Sequence, residues 1–224
     1  ENLYELSLEM MNFIMLLIPF ALLSIAIKLA ASQGKALIPF LYLIIGILSV
    51  YVIRYIIFLL EIYFIGKLSP LPFIWKIFKS QSVAFISTSS KAALPFAVED
   101  MKSIGVSKNS IQYAISIGGM LNMTGFGVTL GVSTVFLANI YNLDFNLFNI
   151  IIILTFSSIG CIVGAGIPGS TIIVLNFILT FFQIPLDILA IMMIVDRVID
   201  MFSTMMNITG ICASTITMDG YQKK

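Results

Sequence analysis

Histidine is absent from the 224 residues, and charged residues make up only 10% of them, against about 25% in an average soluble chain. The first absence removes imidazole proton relays and the commonest metal ligand. Cysteine is nearly absent too. Cys161 and Cys212 stand far apart in apolar runs with no CxxC spacing, which reads as two buried thiols rather than a disulfide or a metal site. The net charge is +1, and the basic residues sit in short loops without forming a patch, so no nucleic-acid partner is expected. No nucleophile–base pair, metal set or nucleotide loop is recognisable, so an enzyme is not expected and no cofactor is called for. The opening ENLYELSLEM lacks an initiator Met and a basic stretch followed by an apolar one; it reads as the middle of a longer chain, with no signal peptide. What fills the chain instead is apolar: 59% of its residues are hydrophobic, and the mean hydropathy is +1.07. That composition belongs to an integral membrane protein.

The apolar runs are of two kinds. Residues 10–31 and 36–66 are long enough to span a bilayer, which takes about 20 residues; the second carries Arg54 and Glu61 towards its end. Pro70 and Pro72 then break the chain. Residues 74–98 and 150–182 differ, because each consists of two halves too short to cross, joined by a polar tip. The first tip is Ser87-Thr88-Ser89-Ser90, followed by Lys91 and Pro95; the second runs Gly164-Ala165-Gly166-Ile167-Pro168-Gly169-Ser170-Thr171. Re-entrant helical hairpins satisfy that pattern, since irregular backbone at membrane depth survives only where protein or a cavity covers it. Residues 110–137 span again, but glycines at 118, 119, 125, 127 and 131 predict a broken helix around Asn122 to Gly125. Those glycines read as close-packing positions rather than a phosphate loop.

The last long run, 186–217, holds Asp196, Arg197 and Asp200 near its middle. A charge at membrane depth costs at least about 2.5–3.5 kcal/mol, so such residues face a protein interior or a polar pathway. At 100° per residue Asp196, Asp200, Ser203/Thr204 and Asn207 fall along one helix face. Asn-x-Thr-Gly occurs twice, as NMTG at 122–125 and NITG at 207–210, each time after a hairpin. The expected fold is therefore all-α and multi-span, with two re-entrant hairpins in an inverted repeat, an arrangement that points to a transporter site near the bilayer midplane. The divisions are 1–68 (two spanning helices), 69–138 (first hairpin and broken helix) and 139–224 (second hairpin and last helix). Lys67, Lys76, Lys79, Lys102, Lys108, Lys223 and Lys224 fall on one side, while loop 139–149 has no basic residue. The positive-inside rule then puts the C-terminus in the cytoplasm.

The order STSSKAALP, NMTG, GAGIPGS, DRVIDMFSTMMNITG resembles the dicarboxylate/amino acid:cation symporter family, the glutamate-transporter fold. The resemblance implies a secondary amino-acid transporter of the cell (inner) membrane, a homotrimer when full length, whose first four helices are absent from this sequence. It also assigns residues: Asp200 with Thr204 for the substrate's amino group, and Asn207 for its carboxylate. Ser89 and Ser90 of the first tip, and Gly166, Ile167, Pro168 and Gly169 of the second, close over the substrate. The chemistry agrees, since an ammonium is matched by a carboxylate and a carboxylate by amide and backbone donors. The bland alternative pairs Asp200 with Arg197 or Lys91.

Three departures from the family pattern carry expectations of their own. Ser203 stands where members that take acidic substrates have an arginine, and Thr88 where others place one, so a neutral amino acid is expected. Thr124 and Ile211 replace two carboxylates that relatives use for sodium. Asn122, Met123, Thr124 and Asn207 remain as cation-binding candidates, with sodium or a proton as the coupling ion. Lys91 reads as a side chain snorkelling to the cytoplasmic mouth, as a partner of Asp196 or Asp200, or as a tethered cation. Arg197 reads as an ion-pair partner of Asp196, Asp200 or Glu99, or as a charge at a water-filled interface. The rival functions are a proton-coupled or uncoupled exchanger, with Asp196 or Asp200 titrating, and a truncated, non-transporting membrane relative.

Overall fold

The computed structural model describes residues 10, 20, 23, 24, 27, 38–119, 122–142, 146–164 and 169–222. The first expected span, 10–31, therefore lies almost wholly outside the described residues, as do Gly166, Ile167 and Pro168 of the second tip. Among the described residues there is no strand.

Helix α1 (Ile38–Phe64) carries Arg54 and Glu61 as its charged residues. Its stretch Pro39–Phe64 is the one described helix long and apolar enough to cross a membrane. Many of its large side chains, Leu41, Ile45, Val52, Ile56 and Leu60 among them, are exposed, while Leu43, Ile47, Phe58 and Ile62 are fully covered. Arg54 reaches Glu61 at 2.9 Å and lies 3.9 Å from the centre of the Phe58 ring. Pro70 and Pro72 do not simply interrupt the chain. They open a short helix, α2 (Pro70–Lys76), where proline's fixed φ suits the first turn and its missing N–H costs nothing.

Helices α3 (Phe78–Ser87) and α4 (Ser90–Ile104) form the first hairpin. Lys79 at the start of α3 meets Glu99 late in α4 at 3.1 Å, and Ser80 N donates to Asp100 Oδ2 at 3.2 Å, so the arms run antiparallel. The tip is two residues long. Thr88 turns left-handed (φ 49°) to end α3, and extended Ser89 caps α4 by accepting from Ala92 N. Pro95 lies inside α4, not at the tip.

Helix α5 (Lys108–Tyr113) is capped by Ser107 and widens into a π-turn over Ala114–Gly118. The helix is interrupted at 122–123 and resumes as α6 (Thr124–Ile140). Helices α7 (Leu147–Val163) and α8 (Ser170–Phe181) form the second hairpin, with Gly160 facing Val174 and the Phe156 and Phe181 rings 5.5 Å apart. A single 3-10 turn, Leu186–Ile188, leads into α9 (Leu189–Gln222), 34 residues long. Helix α9 is the axle: α1, α3, α4, α5, α6 and α8 all pack on it.

Candidate functional site

Because α9 is surrounded, its polar residues are buried by neighbouring helices. Asp196 and Asn207 are 7% and 5% exposed, Ser203 and Thr204 are buried, and Asp200 is half-buried between them. Asp196 faces Thr171 on α8, and Asp200 faces Thr204 one turn along its own helix. Arg197 is near enough to act electrostatically on both aspartates. The ion pairs among the described residues are Arg54–Glu61 and Lys79–Glu99, so Glu99 is engaged by Lys79 rather than by Arg197. Lys91 is exposed in the first turn of α4 and enters neither ion pair.

The two Asn-x-Thr-Gly motifs meet face to face. Asn207 Oδ1 accepts from Gly125 N at 2.8 Å, while Asn122 Oδ1 abuts Gly210. The asparagine of each motif thus packs on the glycine of the other. Both glycines are required by close approach. A Cβ on Gly125 would stand 2.7 Å from Ser203 Cα, and one on Gly210 would strike Asn122 Oδ1 and come within 2.9 Å of Phe58 Cζ. Gly125 is the second residue of α6, so its N–H has no partner within its own helix; the Asn207 side chain supplies one from α9. Thr124 Oγ1 donates to Asn122 Oδ1 at 2.8 Å, and Asn122 Nδ2 donates to Ser214 Oγ at 3.2 Å. Among the described residues, the partner of Asn207 Nδ2 is a sulfur, Met123 Sδ at 3.5 Å.

Both hairpins lean on this crossing. Phe85, three residues before the first tip, packs edge-on against Phe202 of α9 at 5.0 Å. Ser89 and Ser90 at that tip are half-buried. At the second tip, Gly164 lies against Phe126, Cys161 Sγ approaches Met123 O at 3.7 Å, and Gly169 holds φ 73° at the start of α8. A cavity of about 310 Å³, lined by Gly66, Lys67, Gly105 and Asp219 among others, opens instead at the far end of α9 and shares no residue with the crossing.

Sequence reasoning passed over α1 as a contributor. Tyr51 OH donates to Gly125 O at 3.1 Å and is hydrogen-bonded to Thr129 Oγ1 at 2.6 Å. The Ser203 hydroxyl lies in reach of the same phenol. One turn on, Tyr55 OH accepts from Gln81 Nε2 at 3.1 Å, and that amide also reaches Thr209 Oγ1 at 2.9 Å. These side chains sit 26 to 128 residues from their partners, and a tyrosine or glutamine in an apolar run gives no local sign of such a contact.

Residues 1–221 match a family model described as the sodium:dicarboxylate symporter family. The chain is 30% identical to the proton/sodium-glutamate symport protein of Bacillus subtilis (strain 168), over 62% of this chain and 33% of that protein. It is also 30% identical to the human neutral amino acid transporter B(0), over 66% of this chain and 28% of the relative. It is 26% identical to the Bacillus subtilis proton/glutamate-aspartate symporter, over 100% of this chain and 54% of the relative. The chain thus spans about half or less of the length of these curated relatives. With a family match running nearly end to end over helices that cross at the paired Asn-x-Thr-Gly motifs, the chain belongs to the sodium:dicarboxylate symporter family and is part of a membrane protein.

Proposed function

We propose that this chain forms the substrate-carrying core of a secondary amino-acid transporter of the cell membrane, selective for neutral rather than acidic amino acids. The observation that carries the reading is the orientation of Asn207. An N–H can only donate, so Gly125 N–H fixes Oδ1 towards itself and turns the Nδ2 donors away. A substrate carboxylate is the partner such an amide suits. Asp200, one helical face along and two turns earlier, suits the ammonium, with Thr204 beside it. Ser89 and Ser90 at one tip, and Gly166 to Gly169 at the other, close the site in this reading, with α3–α4 and α7–α8 as re-entrant hairpins of an inverted repeat. The whole protein is a homotrimer with its C-terminus in the cytoplasm. Ser203 offers a small, buried hydroxyl and no cation for a second carboxylate.

Asn122, Met123, Thr124 and Asn207 are the residues offered to a coupling cation. A second reading, proton-coupled or uncoupled exchange, is favoured by one arrangement here. Thr124 Oγ1 donates its proton to Asn122 Oδ1, and Ile211 contributes no oxygen. A hard cation prefers several oxygens with negative charge among them, and none of these four residues carries a carboxylate.

Uptake of labelled amino acids by vesicles holding the full-length protein, with and without an inward sodium gradient, tests both. Neutral amino acids should accumulate and acidic ones should not. A stimulation by sodium favours symport with sodium; indifference to it favours the second reading. Uptake of no amino acid would refute transport.

A further inference from the structure

We infer that Tyr51 of α1 is a positioning residue for the amino-acid site, acting through Gly125 on Asn207; the inference rests on the transport reading above. Three oxygens form a closed triangle: Tyr51 OH to Gly125 O at 3.1 Å, Thr129 Oγ1 to Gly125 O at 3.0 Å, and Tyr51 OH to Thr129 Oγ1 at 2.6 Å. Two hydroxyl protons serve these three contacts. If Tyr51 donates to Thr129, Thr129 is free to donate to Gly125 O; if Thr129 donates to Tyr51, Tyr51 donates to Gly125 O. With the Ser203 hydroxyl, which also reaches the phenol, acting as a donor to it, both arrangements leave the Gly125 carbonyl a side-chain donor. Tyr51 is 4% and Thr129 1% exposed, so no bulk water competes for either hydroxyl.

The same residue that receives these bonds gives the one that matters to the site. Gly125 N–H holds Asn207 Oδ1 at 2.8 Å and thereby aims Nδ2. Gly125 has no side chain of its own to tie it down in the first turn of α6, just after the interruption at 122–123. Besides the Ser203 backbone packed against it, Tyr51 and Thr129 tie it from α1 and from the next turn of α6. Loss of one hydroxyl leaves the other on the carbonyl. Loss of both lets Gly125, and with it the Asn207 amide, adopt other orientations.

The test uses the full-length protein in vesicles with Tyr51→Phe, Thr129→Val and the double variant. Each single variant should change KM for the neutral amino acid less than about threefold, because one donor persists. The double variant should raise KM on the order of tenfold, equivalent to about 1.4 kcal/mol, with Vmax retained. A second readout separates positioning from mere support of the fold: competition by the amino acid's carboxamide, which lacks the carboxylate Asn207 is aimed at. The preference for free carboxylate over carboxamide should shrink in the double variant. An unchanged KM and an unchanged preference, with or without a lower unfolding temperature, would overturn the inference while leaving transport standing. If the double variant fails to fold, Tyr51→Phe with Thr129→Ala takes its place and is read in the same way; equal and substantial KM increases in the single variants refute the shared-donor scheme. No uptake by the unmodified protein would overturn the transport reading, and the inference with it.

Discussion

Gly125→Ala probes the motif crossing at its tightest point. The new methyl would lie 2.7 Å from Ser203 Cα and 2.8 Å from its carbonyl carbon, where ordinary contact begins at 3.4 Å. Both obstacles are backbone of the central helix, so no side chain can swing aside. The Ser203 carbonyl oxygen is nearer still, so helices α6 and α9 must part by about 1 Å, which lengthens the 2.8 Å bond from Gly125 N to Asn207 Oδ1 beyond useful hydrogen-bond range. Overpacking costs about 1–3 kcal/mol and the lost bond about 1 kcal/mol, offset by at most about 1 kcal/mol of better helix propensity. The net expectation is a destabilisation of about 1–3 kcal/mol with a raised KM for uptake. Gly131 in the same helix is the control, because a Cβ there meets nothing within 4 Å among the described residues; Gly131→Ala should be neutral or slightly stabilising. Denaturant unfolding of the purified protein in micelles, alongside vesicle uptake, reads both. Wild-type stability and KM in Gly125→Ala, or an equal loss in Gly131→Ala, would refute the close-packed crossing.

Gln81→Leu should cost about 1 kcal/mol of stability, since it removes the amide shared by Tyr55 and Thr209 while Thr209 stays bonded to Met205 O. Lys79→Ala, by contrast, should move the unfolding midpoint by well under 1 kcal/mol, because both partners in the Lys79–Glu99 pair are more than half exposed. Lys91→Ser should make uptake depend more steeply on external sodium, if the ammonium at the positive end of α4 serves as a tethered cation. Unchanged sodium dependence would argue for a snorkelling side chain instead. Thr124→Asp puts a carboxylate where a hydroxyl now donates to Asn122 Oδ1, so uptake should acquire or strengthen a sodium requirement, read by titrating external sodium.

The periodicity of α9 and the repeated Asn-x-Thr-Gly were legible because they depend on residues close in sequence. A polar stripe at helical spacing and a glycine-weakened span can be read without knowing any partner. What the crossing is made of could not be read that way. The reciprocal contact of Asn207 with Gly125 and Asn122 with Gly210 joins segments about 80 to 90 residues apart, and nothing local says which glycine admits which neighbour. Tyr51 was invisible for the same reason. In an apolar run a tyrosine fits a membrane boundary as well as a buried network, and only Gly125 and Thr129, 74 and 78 residues on, distinguish the two. Proline misled in both directions: Pro70 starts α2, and Pro95 sits within α4 instead of in the turn. The exposed apolar face of α1 follows from membrane life, because helices in lipid are held by close packing and buried hydrogen bonds rather than by hydrophobic contrast.

The claim on which the rest depends is that Asp200 and Asn207 together hold a neutral amino acid. Uptake of such an amino acid by vesicles carrying the unmodified full-length protein or Asp200→Asn, at matched protein content, tests it most directly. Losing a charge-assisted bond worth about 1.5–3 kcal/mol should lower transport efficiency by about ten- to a hundredfold while the variant still folds. Uptake of equal efficiency in the two would contradict the account.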